Sequence, residues 1–152
     1  MPDASTIQTK SVTHGAAVVA VLRAAGRLRR VFEALCQAHG LTLQQFNVLR
    51  ILRGAEQAGE GHLPTMTVGE RMIEPEPGIT RLMGRLEAKG LVQRVRCSSD
   101  ARCVRCALTP AGHAVLGALD GSIDRLDREA LGPLSDDEAQ TLVRLLNGAC
   151  AP

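Results

Sequence analysis

The chain has no tryptophan or tyrosine, and its two aromatic residues, Phe32 and Phe46, stand among 152 residues. That scarcity argues against modules that stack bases on aromatic side chains, such as RNA-recognition motifs and single-strand-binding barrels. It argues equally against aromatic cages for cations. Long hydrophobic runs are also missing. The longest apolar stretch, Gly15 to Leu22, falls far short of a membrane span, and no basic segment precedes an apolar core near the start. A cytoplasmic protein without membrane contact is expected.

Cysteine is sparse and odd in number: Cys36, Cys97, Cys103, Cys106 and Cys150 do not suit a disulfide framework. They read as core thiols, metal ligands or redox groups. What is abundant is aliphatic, with 45% hydrophobic residues against 22% charged. This is the composition of a packed domain, and at this length about 70% of the unfolded surface is buried. No nucleophile–base motif, phosphate loop or metal signature is present, so neither catalysis nor a cofactor is expected.

The net charge of +2 hides a segregation along the chain. From Arg81 to Arg105, seven basic residues stand against Glu87 and Asp100, a net of +5. From Asp120 to Glu138, seven acidic residues stand against Arg125 and Arg128, a net of −5. Such an arrangement fits a surface for a polyanion joined to a part held away from it, or else two solvated helix faces.

Hydrophobic spacing divides the chain into helices. Val18, Leu22, Ala25, Leu28, Phe32 and Leu35 recur at helical steps within a long helix from about Ala16 to Ala38. Thr42 with Gln45 is a capping-box pattern, opening a helix through about Arg53 with Leu43, Phe46, Leu49 and Leu52 inward. A glycine-rich loop from Gly54 to Pro64 precedes a second capping-box pattern, Thr67 with Glu70, for a short helix ending near Ile73. The segment Glu74-Pro75-Glu76-Pro77 breaks it. Pro77 suits the first position of the next helix, which runs to Lys89 and stops at Gly90. Two helices across a tight break are a helix-turn-helix pattern.

Beyond Gly90 the pattern alternates. Val92, Arg94 and Arg96 lead into Ser98-Ser99-Asp100-Ala101-Arg102, and Cys103 to Leu108 returns as a β-hairpin. Thr109-Pro110 opens a long helix carrying Leu116, Leu119, Ile123 and Leu126. After Gly132-Pro133, Ser135 with Glu138 begins a last helix with Leu142, Leu145 and Leu146 expected inside.

On the helix from Pro77 to Lys89, Ile79, Leu82, Met83 and Leu86 gather on one side, while Pro77, Arg81, Gly84, Arg85 and Ala88 face the other. Two arginines one turn apart, with small residues between them, can enter a major groove and reach guanine edges or phosphates. The alternative is a solvated pair of surface arginines. Arg94 and Arg96 on the hairpin, with Arg102 near its tip, suit a backbone and minor-groove contact, and Asp100 is expected to orient Arg102. Glu74 and Glu76 oppose this reading, since carboxylates at the entry to the helix repel phosphate.

Leu41-Thr42-Leu43-Gln44-Gln45-Phe46-Asn47-Val48-Leu49, Thr67-Val68-Gly69-Glu70, Ile79-Thr80-Arg81-Leu82, Leu86-Glu87-Ala88-Lys89-Gly90-Leu91-Val92, Asp100-Ala101-Arg102, Leu108-Thr109-Pro110-Ala111-Gly112 and Leu134-Ser135 follow one another in order. This set resembles the MarR family of winged-helix transcriptional regulators, from about residue 16 to 147. The resemblance implies a mainly α fold with a small β-hairpin wing, in one domain spanning 1–152. It implies a homodimer with dimerisation helices at about 16–38 and 110–147, and a DNA-binding part at about 41–109. A pseudo-palindromic double-stranded operator would be held by Pro77, Thr80, Arg81, Gly84, Arg85, Arg94, Arg96 and Arg102. Repression relieved by a small-molecule inducer or by oxidation is implied as well. Two departures stand out: Ala101 replaces the middle arginine of the family's Asp-Arg-Arg wing, and the entry to the recognition helix is acidic. The runner-up is a winged-helix protein-interaction module that has lost operator binding.

If Ser98 to Arg102 form the turn, Cys97 and Cys103 face each other across the hairpin, with Cα atoms about 4.5–5.5 Å apart and within disulfide reach. Neighbouring arginines would favour the thiolate. Oxidation or a thiophilic metal at this pair could therefore distort the wing, the alternative being inert thiols. The peroxide-sensing branch of the family supports its cysteine with tyrosines, which this chain lacks. A ligand pocket between the dimerisation and DNA-binding parts could offer only Phe32 or Phe46 for stacking.

Overall fold

The computed structural model describes residues 13–96 and 104–149. Its elements run α1 (His14–Ala38), α2 (Leu43–Gln57), β1 (Leu63–Pro64), α3 (Thr65–Glu70), α4 (Ile79–Ala88), β2 (Val92–Arg96), β3 (Val104–Leu108), α5 (Pro110–Ala130) and α6 (Asp136–Ala149). The expected mainly helical fold is present, with an antiparallel sheet in the order β1-β3-β2. β2 and β3 pair from Val92↔Leu108 to Arg96↔Val104, the two arms of the expected hairpin.

Local chemistry sets most boundaries. The Thr42 capping box forms in full: Gln45 N–H donates to Thr42 Oγ1 (3.2 Å), and Thr42 N–H donates to Gln45 Oε1 (3.1 Å). Ser135 and Glu138 form another, with Ser135 N–H donating to Glu138 Oε2 (2.8 Å) and Glu138 N–H to Ser135 Oγ (3.3 Å). Thr109 caps α5 by accepting from Gly112 N–H (3.1 Å), and Pro110 follows at the first turn, where no N–H is needed. Gly90, at φ +71°, closes α4: its N–H donates to Glu87 O and Leu91 N–H to Leu86 O, the Schellman arrangement.

Other boundaries differ from the sequence reading. α2 continues to Gln57, because Ala55 is buried and rewards another turn. Thr67 and Glu70 make no capping box. Leu63 pairs with Cys106 on β3, and Thr65 Oγ1 donates to Val104 O (3.2 Å), so α3 starts at Thr65 and Thr67 lies inside it. Pro77 lies outside α4: the backbone turns at Glu76 to Gly78, and Gly78 is the N-cap. Finally, α6 has no buried residue; Leu145 is exposed and Leu142 and Leu146 are only half-buried.

The core lies where α2, α3, α4 and the sheet meet α5. Leu49, Leu52, Met83, Leu86, Leu116 and Leu119 are among its most deeply buried side chains. Gln45 is buried as well, yet its side-chain oxygen serves both Thr42 N–H and Lys89 Nζ, so its burial carries no unpaired acceptor. α5 docks at the α4–β2 turn. Thr109 N–H donates to Leu91 O (3.1 Å), and Thr109 Oγ1 donates to Gly90 O (2.6 Å). A Cβ at Gly112 would stand 2.2 Å from Leu91 O, so only glycine admits this approach. α2 and α5 are further joined by the two-pronged Arg53–Asp120 pair (2.9 and 2.8 Å), which holds the Asp120 carboxyl below the usual carboxylate range.

Gly112→Ala is expected to lower the unfolding free energy by about 2–3 kcal/mol. Gly54→Ala, whose new Cβ would meet nothing within 4 Å, should be neutral or stabilising by up to about 1 kcal/mol. Urea unfolding followed by circular dichroism measures both; equal effects would show that the Leu91 contact does not constrain the junction.

Candidate nucleic-acid interface

α4 is held by its apolar side. Ile79, Leu82, Met83 and Leu86 are all buried, as their helical spacing demands. The opposite side presents Thr80, Arg81 and Arg85, all exposed, with half-buried Gly84 between the arginines. A Cβ at Gly84 would meet nothing within 4 Å, so the face is open at its centre. Arg81 and Arg85 line a shallow depression of about 240 Å³ with Glu76, Gly78, Thr42 and Gln44. Neither arginine takes part in an ion pair among the described residues. Pro77 is exposed just ahead of the helix.

The remaining cations of the basic stretch divide into two groups. Arg94 is half-buried, and its Nε donates to Glu87 Oε2 (2.6 Å), which raises the guanidinium's affinity for its proton. It therefore braces β2 against the end of α4. Lys89 reaches the Gly40 carbonyl, and Arg105 Nη1 donates to His62 O (3.0 Å). Arg96 stays exposed at the end of β2. Asp100, Arg102, Cys97 and Cys103 lie outside the described residues.

The two carboxylates ahead of α4 also separate. Glu74 is paired with Arg29 of α1, so its charge is compensated. Glu76 Oε1 accepts from Gly78 N–H (3.3 Å) and has no ion pair among the described residues. The Arg29–Glu74 pairing joins positions far apart in the chain and left no signal in local spacing.

Arg29 and Glu74 also border a cavity of about 410 Å³ between α1, α2 and the segment leading to α4. Phe32 and Phe46 both line it, together with Leu28 and Met72. Arg50 stands 5.7 Å from the centre of the Phe46 ring. Asn47 Oδ1 accepts from Ile73 N–H (3.0 Å), tying the segment to α2. The sequence nominated both phenylalanines, but not the polar groups around them.

Cys36 and Cys106 belong to the core. Burial pushes both thiols up; at Cys106 it outweighs the opposing hydrogen bond from Thr65 and the charge of Arg94. Nearby arginine thus does not activate Cys106.

Buried helix-turn-helix, exposed arginine face and antiparallel wing together define a winged-helix DNA-binding protein. The comparisons agree. Residues 39–102 match a family model described as MarR family. The solved MarR transcription factor of Planctomyces limnophilus is 31% identical, with 97% of this chain and 98% of that one covered and a TM-score of 0.68. The homoprotocatechuate degradative operon repressor of Escherichia coli is 26% identical over 133 residues, 88% of this chain and 86% of that protein. A mutant MarR from E. coli, solved with operator DNA, shares the fold at a TM-score of 0.77 and 24% identity, covering 88% and 93% of the two chains. The chain belongs to the MarR family, whose members are DNA-binding transcriptional regulators and not enzymes.

In the native protein near pH 8, Cys36 and Cys106 should react with iodoacetamide at least about tenfold more slowly than a free thiol, and normally in denaturant. Peptide mass spectrometry over time measures this; rapid native labelling of either would contradict its burial.

Proposed function

We propose that this protein is a homodimeric repressor that binds a pseudo-palindromic double-stranded operator and is released from it by a small ligand. The observation that carries the reading is the exposed Arg81–Gly84–Arg85 face, with both guanidinium groups free of ion pairs among the described residues. Thr80, Arg81 and Arg85 enter the major groove, and Gly84 allows close approach. Pro77 adjoins the groove, while Arg96 and Arg102 follow the backbone from the wing. Arg94 contributes by holding the wing against α4.

The dimer is supported by apolar surface on both terminal parts. Val18 and Leu22 on α1 are 57% and 67% exposed, and Val143 and Leu145 on α6 are 59% and 56% exposed. Segments 16–38 and 110–147 accordingly associate, and segment 41–109 binds DNA. Repression is favoured by the likeness to a curated repressor. Relief by a ligand is favoured by the cavity containing Phe32 and Phe46, because its wall includes the segment that enters α4. Thiol relief through Cys97 and Cys103 is the second route, supported by the strand register, which pairs Arg96 with Val104, the residues next to them in sequence. No described helix is long and apolar enough to cross a membrane.

Binding to DNA flanking the protein's own gene should fall log-linearly with salt, with a slope of about −0.9 per phosphate neutralised. Arg81→Ala with Arg85→Ala should remove sequence preference and weaken specific binding by on the order of 100-fold. Footprinting and fluorescence anisotropy report both. A flat salt titration with no footprint would favour an interaction module.

A further inference from the structure

We propose that Glu76 is a specificity-determining residue that selects cytosine at one position in each operator half-site. The inference rests on the reading that α4 enters a major groove. Glu76 lines the same depression as Arg81 and Arg85, ahead of the ten-residue α4. The N-terminal end of a recognition helix is the part that meets base edges.

The chemistry of the three side chains differs in a useful way. Each arginine accommodates either a phosphate or the O6/N7 edge of guanine. An ionised carboxylate has only acceptors, so it repels phosphate and gains only from a donor. In the major groove the donors are cytosine N4 and adenine N6. Adenine places its N7 acceptor beside that amino group, where a carboxylate oxygen meets another lone pair. Guanine offers acceptors, and thymine an acceptor and a methyl group. Cytosine is therefore the base a carboxylate accepts best.

Two further observations separate Glu76 from its neighbour Glu74. Glu74 is neutralised by Arg29, whereas Glu76 has no ion pair among the described residues. The Gly78 N–H engages Oε1 of Glu76, which orients the carboxylate and leaves Oε2 without a hydrogen bond among the described residues. The acidic entry to α4, which would only weaken binding if it met phosphate, thus gains a role once it meets a base.

Selection from a randomised double-stranded DNA library, using the full chain as wild type, Glu76→Gln and Glu76→Ala, tests the assignment. The wild type should enrich cytosine at one symmetric position of each half-site by on the order of tenfold over other bases. Glu76→Gln keeps an acceptor for Gly78 and adds a donor for N7, so its preference should move to adenine. Glu76→Ala should show no preference there, with the rest of the consensus retained. In the wild type alone, replacing that C·G pair should weaken binding about tenfold. An identical consensus for all three proteins would overturn the role of Glu76 while leaving operator binding intact. Failure of the wild type to enrich any sequence would overturn operator binding and this inference together.

Discussion

The carbonyl of Leu91 is the point on which the geometry of this protein turns. It accepts the Thr109 N–H at 3.1 Å, and the Cα of Gly112 packs so near that a Cβ there would stand 2.2 Å away. Immediately before it, Gly90 closes α4 in a left-handed conformation; immediately after it, β2 begins. The recognition helix, the wing and the long helix α5 are therefore joined within a few residues by contacts that admit little variation. Interiors packed at this density shift between discrete arrangements and do not yield smoothly. The contacts at Leu91 therefore fix α5, α4 and the sheet in one mutual arrangement.

Charge in the same region is divided between holding the fold and meeting a partner. The seven cations of the basic stretch look equivalent in a tally, yet Lys89, Arg94 and Arg105 are engaged by Gly40 O, Glu87 and His62 O. Arg81 and Arg85 remain available, because the apolar half of α4 turns them outward and no carboxylate lies within ion-pair distance among the described residues. A cation already bonded within the protein has part of its hydrogen-bonding capacity committed there, so position in the fold matters more than the count. The acidic pair ahead of α4 divides by the same logic, one charge compensated by α1 and the other left facing the open depression.

The scarcity of aromatic residues gains meaning from their placement. Both phenylalanines line one cavity, whose walls come from α1, α2 and the segment that carries the chain into α4. The Arg29–Glu74 pair borders that cavity together with Met72 and Ile73, on the stretch between α3 and α4. Cys36 and Cys106, in contrast, are sequestered by packing, and burial disfavours their thiolates.

Much of the fold was legible in the sequence, since helix starts, stops and hairpins depend on neighbours in the chain. Thr42 with Gln45, Ser135 with Glu138, Thr109-Pro110 and Gly90 marked their boundaries through bonds spanning a few residues, and the spacing of Ile79, Leu82, Met83 and Leu86 chose the buried side of α4. β1 was not legible: two residues carry no period, and Leu63 becomes a strand only because Cys106 lies beside it. The start of α3 was misplaced for the same reason, being anchored to Val104 across the sheet. α6 shows the opposite failure, an apolar stripe that found no cover within one chain. By itself the sequence determined the order of the helices and the hairpin and the arginine face, all properties of local spacing, and it carried the resemblance to the family. Which cations bind the protein itself, which carboxylate is neutralised, and how Phe32, Phe46 and Arg29 converge on one cavity were decided by tertiary structure alone, because those partners meet only after the chain has folded.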